Sequence, residues 1–116
     1  MSILNDVKVL VEVDIEEEIF DPQLLRYINM GIQYLINNAV PIKIITFDTE
    51  SSEFTELRDG DYQIVLSWLH LFCLQRFDRT LLQSSGSSSA TSNWIENEMK
   101  NLIYMLKVVY DVEETV

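Results

Sequence analysis

Apolar residues in this chain fall into blocks, and the spacing within most of them is helical. The densest block is residues 61–82, where Ile64, Val65, Leu66, Trp68, Leu69, Leu71, Phe72, Cys73, Leu74 and Phe77 leave almost no polar face. A helix apolar around its whole circumference must be covered on all sides. The pattern therefore predicts a central helix wrapped by the other helices or by a second subunit. Ser67, His70, Gln75 and Arg76 interrupt the block. No run of about 18 apolar residues exists, so it does not read as a membrane span.

Ahead of it, Ile3, Val7, Leu10 and Val11 stand at helical spacing behind Ser2, a capping residue. They predict a first helix of about ten residues, too short to stand alone. Residues 12–20 read as an acidic connector that Ile15, Ile19 and Phe20 anchor to the core, with Glu16, Glu17 and Glu18 in water. Asp21 as cap and Pro22 in the first turn open a second helix that runs to about residue 38. Its buried stripe is Leu24, Leu25, Ile28, Ile32, Leu35, Ile36 and Ala39. Gly31 lies inside that helix at a cost of about 1 kcal/mol against Ala, which close packing on another helix would explain. Asn37, Asn38 and Pro41 end it.

Residues 40–60 break the helical pattern. The stretch through Phe47 is β-branched and partly alternating, which suits extended chain or a short strand. Residues 48–59 are polar and acidic. Connections this long are usually functional or disordered. Ile44, Ile45, Phe47 and Phe54 argue that part of the segment lies on a surface, its own or a neighbour's. Asp59 or Asp61 can cap the central helix, and Arg76 and Arg79 suit the negative end of its dipole. Residues 83–93 are Ser-rich and predict a flexible loop. Asn93 and Glu96 fit a capping box that opens a fourth helix. Its stripe is Ile95, Met99, Leu102, Ile103, Leu106, Val109 and Tyr110, and Trp94, Met105, Val108 and Val112 widen it beyond what one partner helix needs. The tail at 113–116 is expected to fray. The expected fold class is all-α: one domain over residues 1–116, a bundle of about four helices with a long apolar central helix, an extended loop at about 40–60 and a flexible loop at about 83–93.

Composition supports that picture and narrows the function. A chain of 116 residues, 47% hydrophobic, can bury one core. Three glycines and two prolines favour helices over a turn-rich β fold. The single cysteine, Cys73, rules out an internal disulfide and reads as a small core residue. Residues 1–10 lack a basic start and a small-residue cleavage site, which implies folding inside the cell. The net charge is −11, and thirteen of the nineteen acids lie in residues 1–61. Such a chain repels phosphate backbones and anionic membranes. An acidic mimic of DNA, one that inhibits a DNA-binding protein, stays open.

Candidate chemistry is sparse. His70 is the only histidine and reads as a hydrogen-bonded packing or interface residue. Cys73 stands three residues on and could share its face, but nothing marks the third group that a nucleophilic pair needs. Glu16, Glu17 and Glu18 are consecutive and read as a solvated face. No phosphate loop, zinc spacing, EF-hand or Gly-x-Ser-x-Gly turn is present. Trp68, Trp94 and the five tyrosines lack the basic groove that a single-strand platform requires. No catalytic residue, cofactor or metal site is expected, and the chain does not read as an enzyme.

The order of features nevertheless carries a likeness. A short helix with Asp6-Val7-Lys8-Val9-Leu10 leads into an acidic turn. Asp21, Leu24-Leu25, Tyr27-Ile28 and Tyr34-Leu35 follow, then a loop opening with Val40-Pro41. The apolar helix ends in Arg76-Phe77-Asp78-Arg79, and a Ser-rich loop precedes Asn93-Trp94-Ile95 and a last amphipathic helix. Over nearly the whole chain this resembles the small head–tail connector, or adaptor, proteins of tailed bacteriophages. The long acidic segment at 48–59 and the length of the Ser-rich loop depart from the pattern. The resemblance implies a homo-oligomeric ring, twelvefold, under the portal protein. Its channel passes genomic DNA without sequence-specific binding, and its lower face receives a stopper or tail-completion protein. The implied location is the virion head–tail junction, after assembly in the bacterial cytoplasm. Partner contacts are then expected in the 41–54 loop, through Pro41, Ile44, Phe47 and Phe54, in the 84–93 loop, and at Trp94. The uncovered face of the central helix, around Trp68, Phe72 or Phe77, is expected to meet the next subunit.

Overall fold

The computed structural model describes residues 2–77 and 88–110. Four α-helices appear among them: α1, Ile3–Leu10; α2, Asp21–Asn37; α3, Asp61–Phe77; and α4, Ser88–Tyr110. A 3-10 turn at Ser51–Glu53 is the remaining helical element, and the described residues form no strand. The fold is all-α, as the periodicity predicts. Residues 78–82 of the expected central helix, residues 83–87 of the Ser-rich segment and the tail at 113–116 lie outside the described residues.

The Ser2 hydroxyl accepts from the Asn5 amide at 3.1 Å and caps α1. Ile3, Leu4 and Val7 are buried on one face, and so is Lys8. The helix ends because Glu12 turns left-handed, with φ +64°. The Val13 amide then reaches the Lys8 carbonyl and the Glu12 amide the Val9 carbonyl, a Schellman closure on a residue that is not glycine. α2 ends the same way. Ala39 sits at φ +76°, the Val40 amide bonds to Leu35 and the Ala39 amide to Ile36. Val40 and Leu35 are both buried there, completing the apolar contact of the motif. Ala39 is thus the left-handed stop of α2, where the spacing had placed it in the helical stripe.

The connector at 12–20 corrects the expectation that Ile15, Ile19 and Phe20 pin it to the core. All three are exposed, Ile19 by 76%. The pin is Lys8. Its fully buried ammonium donates to the Ile15 carbonyl at 2.8 Å and the Glu17 carbonyl at 2.7 Å, and it pairs with the Asp21 carboxylate at 2.8 Å. That pairing also corrects the capping role expected of Asp21. The residue before α2 is Phe20, with no side-chain cap, and Asp21 occupies the first turn with Pro22.

Residues 40–60 are held in place without a strand. The Asn29 side chain grips the backbone of Ile45 at both ends, donating to its carbonyl at 3.0 Å and accepting from its amide at 2.9 Å. The Thr49 hydroxyl accepts from the Thr46 amide, and the Thr49 carbonyl accepts from the Ile3 amide at 2.8 Å. Ile45 and Phe54 are buried between these ties. Asn29 thus supplies the bonds that a neighbouring strand would give.

α3 touches each of the other three helices. Val65, Trp68, Leu69, Phe72 and Cys73 are buried among them. Gly31 of α2 lies against this set. A Cβ there would lie 3.0 Å from Leu69, Phe72 and Trp68 side chains alike, so the glycine is what lets the two helices pack. The start of α3 is tied to the end of α4: the Tyr110 hydroxyl donates to Asp61 at 2.6 Å and accepts from the Arg58 amide at 2.9 Å. α4 begins at Ser88, not at Asn93, so residues 88–93 are helix where a loop was expected and Asn93 caps nothing. Ser, Thr and Ala tolerate helix well enough to extend one that packing already holds.

Candidate assembly surface

Trp68 and Phe72 are four apart on α3, and with Tyr34 of α2 they form a continuous aromatic stack. Ring centroids are 5.5 Å apart for Tyr34–Trp68 and 5.1 Å for Trp68–Phe72, with nearly parallel planes. One turn on, the Arg76 guanidinium lies 3.6 Å from the centre of the Phe72 ring and donates to the Phe72 carbonyl at 3.3 Å. This stack floors a groove of about 670 Å³. Its far wall is α4, through Met99, Lys100, Ile103 and Tyr104. Arg76, Lys100 and Lys107 line it against a single carboxylate, Glu96.

On the opposite end of α2 lies a second hollow of different character. Glu16, Glu18, Asp21, Asp48 and Glu50 line it with no basic residue, around Leu4, Ile15 and Phe47. The two hollows therefore differ in charge: carboxylates line this one, and cations prevail along the groove.

Among the described residues α4 carries more exposed large apolar side chains than any other helix. Trp94 is 60% and Tyr104 is 70% exposed, and Met105 and Val108 are exposed with them. The spacing predicted that surplus on the fourth helix. It does not persist on α3 as expected, because Trp68 and Phe72 are only 2% and 7% exposed. They are reachable only as the groove floor, and the surroundings of the Phe77 side chain fall outside the described residues. In the 41–54 loop, Ile44 and Phe47 are exposed, Pro41 is half-buried, and Phe54 is buried and holds the loop to the core. Tyr34, Arg76, Lys100 and Tyr104 belong to the groove and were not among the expected contact residues. Their signal was the spacing of four that aligns Trp68 with Phe72 and Arg76, and Lys100 with Tyr104.

The Cys73–His70 pair does not form a poised nucleophile. Cys73 is fully buried, and burial pushes its thiol up to about 12, against a smaller opposite pull from Arg76. Burial lowers His70, opposed by the Glu12 carboxylate. Among the described residues, no group of His, Cys, Asp and Glu could hold a metal ion, and no helix is long and apolar enough to cross a membrane.

An all-helical subunit with an apolar groove and exposed apolar side chains offers surface for assembly with other chains. The phage connector protein family matches residues 3–113, and the chain belongs to that family. It is thus a structural head–tail connector of a bacteriophage, a component that associates with other head and tail proteins. No curated protein and no solved structure matches the chain.

Proposed function

We propose that copies of this chain form a ring, twelvefold, stacked beneath the portal protein, that joins the DNA-filled head to the tail. In this reading the whole of residues 1–116 acts as one connector domain. The ring is put together in the host cytoplasm and stays in the virion, and its lower face receives a stopper or tail-completion protein. The observation that carries this is the exposed apolar face of α4, centred on Trp94 and Tyr104, on a subunit whose core is already closed. Lateral contacts around a ring would cover such a face, and many weak contacts sum through repetition. The exposed Ile44 and Phe47 of the 41–54 loop offer a second contact for the components above or below. A net charge of −11 suits the wall of a genome channel, since it repels the passing phosphates and does not grip them.

The DNA-mimic reading is less well supported. A mimic needs its carboxylates free and spaced like phosphates. Asp6 accepts from Tyr62, Asp21 pairs with Lys8, and Asp61 is held by Arg58 and Tyr110.

Cryo-electron microscopy of particles from the phage that encodes the chain tests the proposal. The expected result is a closed ring of this fold between portal and tail. Particles with no copy at that junction would overturn it.

A further inference from the structure

The groove and the acidic connector at 12–20 are complementary in charge and in apolar content. The groove offers an aromatic floor of Trp68 and Phe72 with Arg76 and Lys100 beside it. Neither cation has a carboxylate partner among the described residues. The connector offers the reverse. Ile19 is the most exposed large apolar side chain among the described residues, and Glu16 and Glu18, both exposed, shortly precede it in the chain. The two surfaces cannot meet within one chain. Residues 21 and 34 of α2 mark their positions, and the helical rise separates those by about 20 Å.

We infer that the connector of one copy docks in the α3–α4 groove of the next, with Ile19 on the aromatic floor and Glu16 and Glu18 against Arg76 and Lys100. This names the lateral contact and rests on the ring reading above. The contact is heterologous: each copy presents one groove and one connector. Such interfaces close into rings when the rotation per copy divides the circle, and otherwise run on as filaments. The charge pairing fixes which surface meets which, because two acidic connectors repel and two basic grooves repel. It also explains why cations gather along one groove of a strongly acidic chain.

The test uses the full chain and its charge reversals in sedimentation velocity. Arg76→Glu/Lys100→Glu makes the groove acidic, and Glu16→Lys/Glu18→Lys makes the connector basic. All four positions are exposed, and circular dichroism checks that each variant is folded. Because Arg76 also packs on Phe72, Lys100→Glu alone and Ile19→Ser serve as variants with no core contact to lose. Wild-type chain is expected to self-associate, and each reversal to weaken that association at least about tenfold. Combining both reversals in one chain restores it, as does mixing the two reversed chains in equal amounts. Wild-type association that survives either reversal, or a combined chain that stays dissociated, overturns the inference and leaves the ring standing. A wild-type chain still monomeric at about 1 mM also overturns it, while the position at the head–tail junction is read separately from particles. Absence from that junction removes the ring reading and this contact with it.

Discussion

Lys8 and Asp21 meet at 2.8 Å with the lysine side chain wholly buried. The same ammonium donates to the carbonyls of Ile15 and Glu17, so one side chain fixes α1, the connector and the start of α2. A buried charge whose partner is removed costs about 3–5 kcal/mol. Lys8→Met keeps the apolar stem and strands Asp21, which is still partly exposed and can regain some water. The expected loss is near the lower end, about 3 kcal/mol, read from urea melts. Hydrogen exchange should rise first at residues 12–20, because the Ile15 and Glu17 carbonyls lose the ammonium that holds them.

Ala39 stops α2 in the left-handed region, at φ +76°. That conformation costs a residue with a Cβ about 1–2 kcal/mol, and glycine avoids it. Glycine loses more freedom on folding, about 0.5–1 kcal/mol relative to Ala. Ala39→Gly is therefore expected to raise stability slightly, by about 0.5 kcal/mol, against the usual direction of Ala→Gly changes in helices. A small upward shift of the urea midpoint checks it. Glu12, at φ +64°, should respond the same way to Gly.

Gly31 works in the opposite sense. Its neighbours Leu69, Phe72 and Trp68 each stand 3.0 Å from where a Cβ would be. Helix propensity favours Ala by about 1 kcal/mol, but overpacking a closed core costs about 1–3 kcal/mol. Gly31→Ala is expected to lose about 1 kcal/mol net, and Trp68→Ala, which empties the same contact, about 3–5 kcal/mol. Thermal melts of the two variants decide whether this contact is as tight as it looks. A stabilised Gly31→Ala protein would show that α2 and α3 can separate cheaply.

The helices were legible in the chain because their periodicity reports burial directly. The stripe of α2 and the surplus on α4 each followed from spacing. What could not be read is where a polar side chain replaces an apolar anchor. Lys8 stands on the apolar face of α1, a position that composition alone assigns to solvent, and its three partners lie seven to thirteen residues further on. Asn29 likewise sits among helix residues and orders a loop sixteen residues away. The groove was hidden for a related reason. Each of its walls reads as a core stripe, and the gap between them exists only in the packed structure.

Burial of ionisable groups sets both edges of the stability profile. Cys73 ordinarily ionises near 9.0, and burial pushes it up to about 12. Burial and the bond to Asp6 raise Tyr62 as well. Above about pH 9 the unfolded chain releases these protons while the folded chain keeps them, so stability falls as pH rises. For Cys73 alone the slope approaches about 1.4 kcal/mol per pH unit until the folded thiol itself ionises. His70 acts at the other edge. Its folded value is lowered by burial, so below its ordinary 6.5 the unfolded chain binds the extra proton and stability falls as pH drops. Urea melts across the range should show a maximum between these windows. Cys73→Ala is expected to flatten the alkaline limb and leave the acid limb alone, and His70→Gln to do the reverse. An alkaline limb unchanged in Cys73→Ala would mean that the thiol is open to water in the folded protein.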